Sequence, residues 1–287
     1  MFTYTQVVVL GLLQGVAELF PISSLGHTVL LPSVLGWRID QASPQFVTLV
    51  VLTHLATALV LLGFFWRDWL NIVRGLLRSL WSRKVGVGDT YARLGWLLVW
   101  GTIPAGLLGL VFEKRLTLLF ANPKLVALVL VCNGAVLYVA QRFSVHNQSR
   151  VSAILAESID ESLAKKLSFK KVLGIGLAQC VALVPGFSRT GLTMTGGLAS
   201  GLSNKDAVRF SFLLATPIIF AAALLKVPHL FKEDMATMGQ SLLGALCAAL
   251  AAYLSVRFLT KYFEDKTLTP FAVYCVFAGA AALLFLS

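Results

Sequence analysis

The chain has 287 residues, of which 57% are apolar and only 13% charged, with a mean hydropathy of +0.82. A soluble domain carries about 25% charged residues, so a globule of this size would lack the polar surface to coat it. The composition excludes a disordered chain, a nucleic-acid-binding domain and a disulfide-stapled secreted module, and points to an integral membrane protein. The net charge of +11 sits in a few short connections between apolar runs. Basic loops on one side of a membrane have that pattern, so no nucleic-acid partner is read from it.

In chain order, the N-terminus has no basic region and no small-residue cleavage site before its first apolar run, so no removable signal peptide is expected. A spanning helix needs roughly 20 apolar residues. Six segments qualify: about 45–66, 91–113, 123–143, 207–226, 239–260 and 269–286. Two further apolar regions are interrupted. Residues 2–36 are broken by Pro21-Ile22-Ser23-Ser24 and Gly26, and residues 171–202 by Pro185-Gly186-Phe187-Ser188-Arg189 and Gly191. Each half-helix is too short to cross singly. Non-helical backbone at membrane depth needs protein or a wet cavity around it, so both regions read as re-entrant helix–break–helix hairpins. The polar linker 144–170 between the apolar blocks reads as a solvated loop with some helix. Cys132, Cys180, Cys247 and Cys275 all lie in apolar stretches without paired spacing and read as small buried hydrophobes.

The two breaks share a pattern. Gly11-Leu12-x-Gln14-x-Val16-Ala17 is echoed by Gly176-Leu177-x-Gln179-x-Val181-Ala182, and in both copies Pro-x-x-Ser and then Gly follow. Leu55-Ala56-Thr57 is echoed by Leu214-Ala215-Thr216, and Asn122-Pro123 by Thr269-Pro270. The chain therefore reads as one membrane domain made by duplication, repeat 1 about 1–143 and repeat 2 about 171–287. Three spans per repeat is an odd number, so the second copy is inverted. The expected fold is an all-α polytopic membrane protein, an inverted-topology repeat of six transmembrane helices plus two re-entrant helix hairpins. Seventeen of the 24 basic residues then fall on one side and six on the other, with Arg189 in a break. The rich side is cytoplasmic. Both termini and the first hairpin would face outward.

Few charges enter the apolar segments, and those that do are functional candidates because an ionisable group at membrane depth is costly. Glu18 is the most deeply embedded acid, and Arg189 the only base within a break. A structural ion pair between the halves is the plain alternative for these two. Gln14 and Glu18 are spaced i and i+4, so both project from one helix face towards the break. Ser23, Ser24 and His27 follow within one turn, although a Ser at that position is also an ordinary N-cap. In the second break, Ser188-Arg189-Thr190-Gly191-Leu192-Thr193 opens a helix, where free N–H groups and the helix dipole favour an anion. Arg189 adds the planar fork suited to phosphate, and Thr193 a hydroxyl one turn on. His54 lies inside a span next to the Leu55-Ala56-Thr57 echo, where it could line the cavity, although a satisfied packing role is the expectation. His146 and His229 lie outside the apolar core and receive no role.

Gln14-x-x-x-Glu18, Pro21-x-Ser23-Ser24-x-Gly26-His27 and Pro185-Gly186-Phe187-Ser188-Arg189-Thr190-Gly191-x-Thr193 resemble the signatures of the undecaprenyl-diphosphate phosphatase family, the bacitracin-resistance type. Phe64-Phe65-Trp66-Arg67 and Phe210-Ser211-Phe212-Leu213-Leu214-Ala215 extend the resemblance over nearly the whole chain. The resemblance implies a bacterial plasma-membrane (inner-membrane) enzyme with its site open to the outer face. Its substrate would be a C55 polyprenyl diphosphate, whose terminal phosphate is removed to regenerate the lipid carrier for peptidoglycan synthesis. It also implies dependence on a divalent cation, Mg2+ or Ca2+. Gln14 stands where the family carries Glu or Gln, so a two-carboxylate metal pair is not available. On this reading Arg189, Ser188 and Thr193, with Ser23 beside them, bind the diphosphate, and Glu18, assisted by Gln14, holds the cation or serves as general base. Ser24 is the candidate nucleophile with His27 as acid/base, and direct attack by water stays open. Inverted repeats with broken helices are also the architecture of secondary transporters, so a transporter or flippase of a lipid phosphate or anion is the alternative. Membrane lipid is the expected surrounding partner, and a homo-oligomer is neither required nor excluded.

Overall fold

The computed structural model describes residues 2–41, 43–86, 88–119, 122–148, 163, 166–230 and 233–286, and all regular structure among them is α-helical. In order these are α1 (Tyr4–Ala17), α2 (Ser24–Val34), α3 (Pro44–Phe64), α4 (Trp66–Ser82), α5 (Thr90–Leu119), α6 (Pro123–Gln148), α7 (Phe169–Val181), α8 (Arg189–Ala199), α9 (Asn204–Leu230), α10 (Met235–Tyr262) and α11 (Thr269–Phe285). Helix starts follow local chemistry. Thr3 and Gln6 form a reciprocal capping box on α1, Ser43 caps α3 with Pro44 at its first position, and Asp234 caps α10. Most of the 144–170 linker lies outside the described residues.

Among the described residues five helices are long and apolar enough to cross a membrane: α3, α9, α10 and the stretches Thr90–Phe112 and Pro123–Phe143 of α5 and α6. The sixth expected span is α11, whose 17 residues reach about 25 Å at 1.5 Å per residue. Between the first two expected spans, 45–66 and 91–113, the chain forms α4. Its arginines hid an amphipathic helix, because a count of basic residues does not register the apolar positions between them.

Packing follows the logic of lipid, where small residues let helices approach. Gly134 of α6 sits so close to α11 that an added Cβ would lie 2.6 Å from the Ala272 carbonyl oxygen, and Gly279 of α11 sits likewise 2.7 Å from that of Ala127 on α6. The same reciprocity relates α1 on α10, through Gly11 against Gly244, to α7 on α5, through Gly176 against Gly101. Helices α3 and α9 pack side by side at the centre and bury Leu61, Phe210 and Phe212 completely. Outward-facing apolar residues are abundant: Leu107, Val111, Leu246 and Phe277 are each 60% or more exposed. Such apolar faces belong against acyl chains.

Candidate functional site

The break between α1 and α2 brings unpaired backbone into the centre of the protein. Pro21 has no N–H, and Ser23 takes φ 72°, ψ 97°, a conformation that costs a non-glycine residue energy and recurs at functional sites. The Ser23 hydroxyl caps α2 by accepting from the Gly26 N–H at 3.1 Å. Buried carbonyls need donors, and here they come from the other break. The Thr190 hydroxyl donates to the Glu18 carbonyl at 3.0 Å, and the Ser188 hydroxyl lies 3.4 Å from that of Phe20. Asn133 of α6, fully buried, ties both breaks together. Its amide nitrogen donates to the Pro21 carbonyl at 3.1 Å and its oxygen accepts from the Ser188 N–H at 3.0 Å. The tips touch at Gly26, where a Cβ would lie 3.1 Å from the Cα of Gly186. Gly186 itself holds φ 105°, which glycine adopts freely.

Glu18 stands at this junction as the C-cap of α1. Its Oε1 is paired with the Arg189 guanidinium through Nη2. Its Oε2 accepts from the Gln14 amide at 2.9 Å and from the Ser24 hydroxyl at 2.5 Å. His54 of α3 completes the ring, with Nε2 at 3.3 Å from the same oxygen. His54 Nδ1 donates to the Val50 carbonyl at 2.8 Å. Arg189 Nη1 is buried and has no hydrogen-bond partner among the described residues.

Glu18, Ser24, His54, Ser188 and Arg189 line one cavity of about 750 Å3. Its walls are mainly apolar, with Val50, Leu183, Phe187 and Ile219 among them, and its lining reaches Asp40 and Gln41 between α2 and α3 and Lys226 near the end of α9. A polar floor under apolar walls suits an amphiphile with an anionic head.

Of the residues expected from sequence, Gln14, Glu18, Ser24, Ser188 and Arg189 are thus brought together. Ser23, His27 and Thr193 do not line the cavity. His27 Nδ1 donates to the Ser23 carbonyl at 2.7 Å, and its Nε2 accepts from the Tyr274 hydroxyl at 2.8 Å, with the two rings stacked. It therefore braces the strained Ser23 turn against α11 rather than facing Ser24. The Thr193 hydroxyl is spent on the Arg189 and Thr190 carbonyls and on Ser211. His54 corrects the packing role expected of it, because it contacts the central carboxylate. Asn133 was missed altogether. A lone amide inside the apolar 123–143 stretch is the signal that could have found it.

The expected divalent cation does not fit the Gln14–Glu18 pair in this arrangement. Mg2+ and Ca2+ seek several oxygen ligands, yet the groups facing Glu18 are donors: guanidinium, amide, hydroxyl and imidazole. Turning the Gln14 amide over would set its oxygen against a carboxylate. Among the described residues no three His, Cys, Asp or Glu side chains gather as a metal site.

The family model described as bacitracin resistance protein BacA matches residues 7–281. An undecaprenyl-diphosphatase of Mycolicibacterium paratuberculosis is 44% identical, over 99% of this chain and 98% of its own. Undecaprenyl-diphosphatase 1 of Burkholderia pseudomallei is 46% identical over 96% and 94% of the two chains, and undecaprenyl-diphosphatase 2 of Burkholderia ambifaria 46% over 95% and 93%. With a family model matching residues 7–281 and relatives 44–46% identical over nearly the whole chain, the chain belongs to the bacitracin resistance protein BacA family.

Proposed function

We propose that this protein hydrolyses the terminal phosphate of undecaprenyl diphosphate, giving undecaprenyl phosphate and inorganic phosphate. It would thereby recycle the lipid carrier of peptidoglycan synthesis and confer bacitracin resistance. One observation carries the reading at the level of the site: Arg189, which lines a cavity with apolar walls, is held by Glu18 through Nη2, while its Nη1 is buried and has no hydrogen-bond partner among the described residues. A phosphate oxygen is the acceptor such a fork suits, and the apolar walls suit an isoprenoid tail.

The chemistry follows from Ser24 on Glu18. Glu18 takes the Ser24 proton as the hydroxyl oxygen attacks the terminal phosphorus. The bond to the bridging oxygen breaks, its electron pair leaves with the lipid monophosphate, and Glu18 returns the proton to that oxygen. Water then loses a proton to Glu18 and attacks the phosphoserine, and Ser24 departs and recovers the proton. Arg189 and the N–H groups at the start of α8 hold the charge that spreads over the equatorial oxygens, with Ser188 at the cap. Gln14 and His54 fix the carboxylate, and His27 fixes the Ser23 turn. Direct attack by water, with Glu18 as base, is the alternative within this scheme. A divalent cation would come with the diphosphate, because the groups that face Glu18 are donors.

The architecture we propose is the inverted repeat, with α1–α2 and α7–α8 as re-entrant hairpins and six spans around them. The reciprocal glycine contacts between α6 and α11, and between α1–α10 and α7–α5, support it. With the basic-rich connections cytoplasmic in a bacterial inner membrane, the cavity would open outward, past Asp40 and Lys226. The same architecture suits a transporter, so the test uses micelles, where no second compartment exists. Purified protein in detergent is expected to release phosphate from a polyprenyl diphosphate, and Ser24→Ala to lose that release. Rapid quenching of active protein is expected to trap phosphoserine at Ser24. Turnover without any trapped adduct would favour water as nucleophile, and no phosphate release by the wild type would overturn the enzyme reading.

A further inference from the structure

Helix α4 has three faces. Ile72, Gly75 and Ser79 are buried against α5 (a Cβ on Gly75 would lie 2.6 Å from the Ala92 nitrogen), and Trp96 donates to the Ser79 hydroxyl at 3.0 Å. At its start, Asp68 accepts from Arg209 of α9 at 2.8 Å. The helix is therefore a fixed part of the fold. Its second face, at helical spacing, carries Trp66, Leu70, Val73, Leu77, Leu80 and Trp81, all between 41% and 95% exposed. Its third face carries Arg67, Arg74 and Arg78, all exposed. Arg67 stacks over the Trp66 ring at 5.3 Å, and Arg78 pairs with Asp89.

Helix α4 starts two residues after α3, an apolar span, ends at Phe64. Its first turn thus lies where a spanning helix leaves the hydrocarbon. A 17-residue helix is about 25 Å long. An apolar face with tryptophans at both ends and a flanking row of arginines is the pattern of a helix lying in a membrane interface. We propose that α4 lies along the membrane surface, its Leu70–Leu77–Leu80 face in the acyl boundary and Arg67 and Arg74 on the phosphates of anionic phospholipids. The charge decides for a lipid surface over a second copy of this chain. A copy would bring its own arginines to the same face, whereas anionic headgroups neutralise them. The proposal does not depend on the reaction assigned above.

The test uses the full chain in nanodiscs of phosphatidylglycerol or of phosphatidylcholine. A photo-crosslinking benzoylphenylalanine at Leu77 is expected to attach to lipid. Attachment to a second copy, or to no lipid at all, overturns the membrane seat. Hydrogen exchange along α4 is expected to be about tenfold slower in phosphatidylglycerol than in phosphatidylcholine, and that difference is expected to vanish in Arg67→Gln/Arg74→Gln. Equal exchange in both lipids for the unaltered chain overturns the anionic-lipid contact. Thermal unfolding in the same nanodiscs at the temperature of the unaltered chain reports that both substituted proteins are folded.

Discussion

Replacing Arg189 by lysine separates the chemistry of the site from its stability. Arginine meets Glu18 through Nη2, and its Nη1 has no hydrogen-bond partner among the described residues, so on the proposed reading it is the donor for the phosphate. A lysine keeps one cation beside Glu18 but offers a point charge instead of a fork. One transition-state donor is lost, worth about 2.7–4 kcal/mol, or about 10²–10³ in kcat. Arg189→Ala is a different perturbation. The Glu18 side chain is only 5% exposed, and removing one partner of a buried pair costs about 3–5 kcal/mol because a charge is left uncompensated. Part of that is recovered by His54 and Ser24, which remain on Oε2. The alanine variant is therefore expected to melt early as well as lose turnover. Adding Glu18→Gln removes the stranded charge, so the double variant should melt above Arg189→Ala while staying inactive. Phosphate release in micelles gives kcat and KM, and thermal unfolding in the same detergent gives stability. Turnover of Arg189→Lys within threefold of the unaltered protein would refute the fork assignment. A double variant that melts no higher than Arg189→Ala would refute the reasoning about the buried charge.

Asn133→Leu strands the Ser188 N–H, worth about 1–3 kcal/mol when buried and unpaired, and leaves the Pro21 carbonyl only the weak Cys275 thiol donor at 3.8 Å. Both melting temperature and kcat are expected to fall, and an unchanged melt would show that Asn133 does not join the breaks. His54→Leu removes a charge-assisted contact worth about 1.5–3 kcal/mol, so kcat/KM should drop about 10- to 100-fold. His54→Gln, which retains a donor, should recover most of it, and equal losses in the two variants would leave His54 a packing residue. Titration of Mg2+ into the protein by calorimetry should show no saturable binding without substrate and binding once a non-hydrolysable diphosphate lipid is present. Micromolar binding to the unliganded protein would show that the chain holds the ion itself.

Much of the fold was legible because lipid imposes a simple demand: runs of about 20 apolar residues become spans. All six expected segments are helical, and Pro21 and Pro185 mark where the two short hairpins break. The lapse at α4 has a physical cause. An interfacial helix is neither apolar enough to register as a span nor polar enough to be a loop. Its signal lies in the angular separation of Leu70, Val73 and Leu77 from Arg67, Arg74 and Arg78 around one helix, which a linear count erases.

The site was legible only where its residues were neighbours in sequence or expensive in the membrane. Gln14, Glu18 and Ser24 share one hairpin, and Arg189 stands out as the base within a break, so scarcity of charge was enough to find them. Scarcity does not say what a side chain faces. His27 stands one turn from Ser24, yet its imidazole meets the Ser23 carbonyl, one helical turn back, and Tyr274 of α11. His54, 36 positions beyond Glu18, reaches its carboxylate because α3 packs against α1. Asn133 joins the two breaks from a third helix. The groups that proximity in sequence suggested and the groups that tertiary packing delivered are thus different histidines. On the proposed reading, the ring of donors around Glu18 that results would leave Arg189, rather than a protein-held cation, as the chain's own means of meeting the diphosphate.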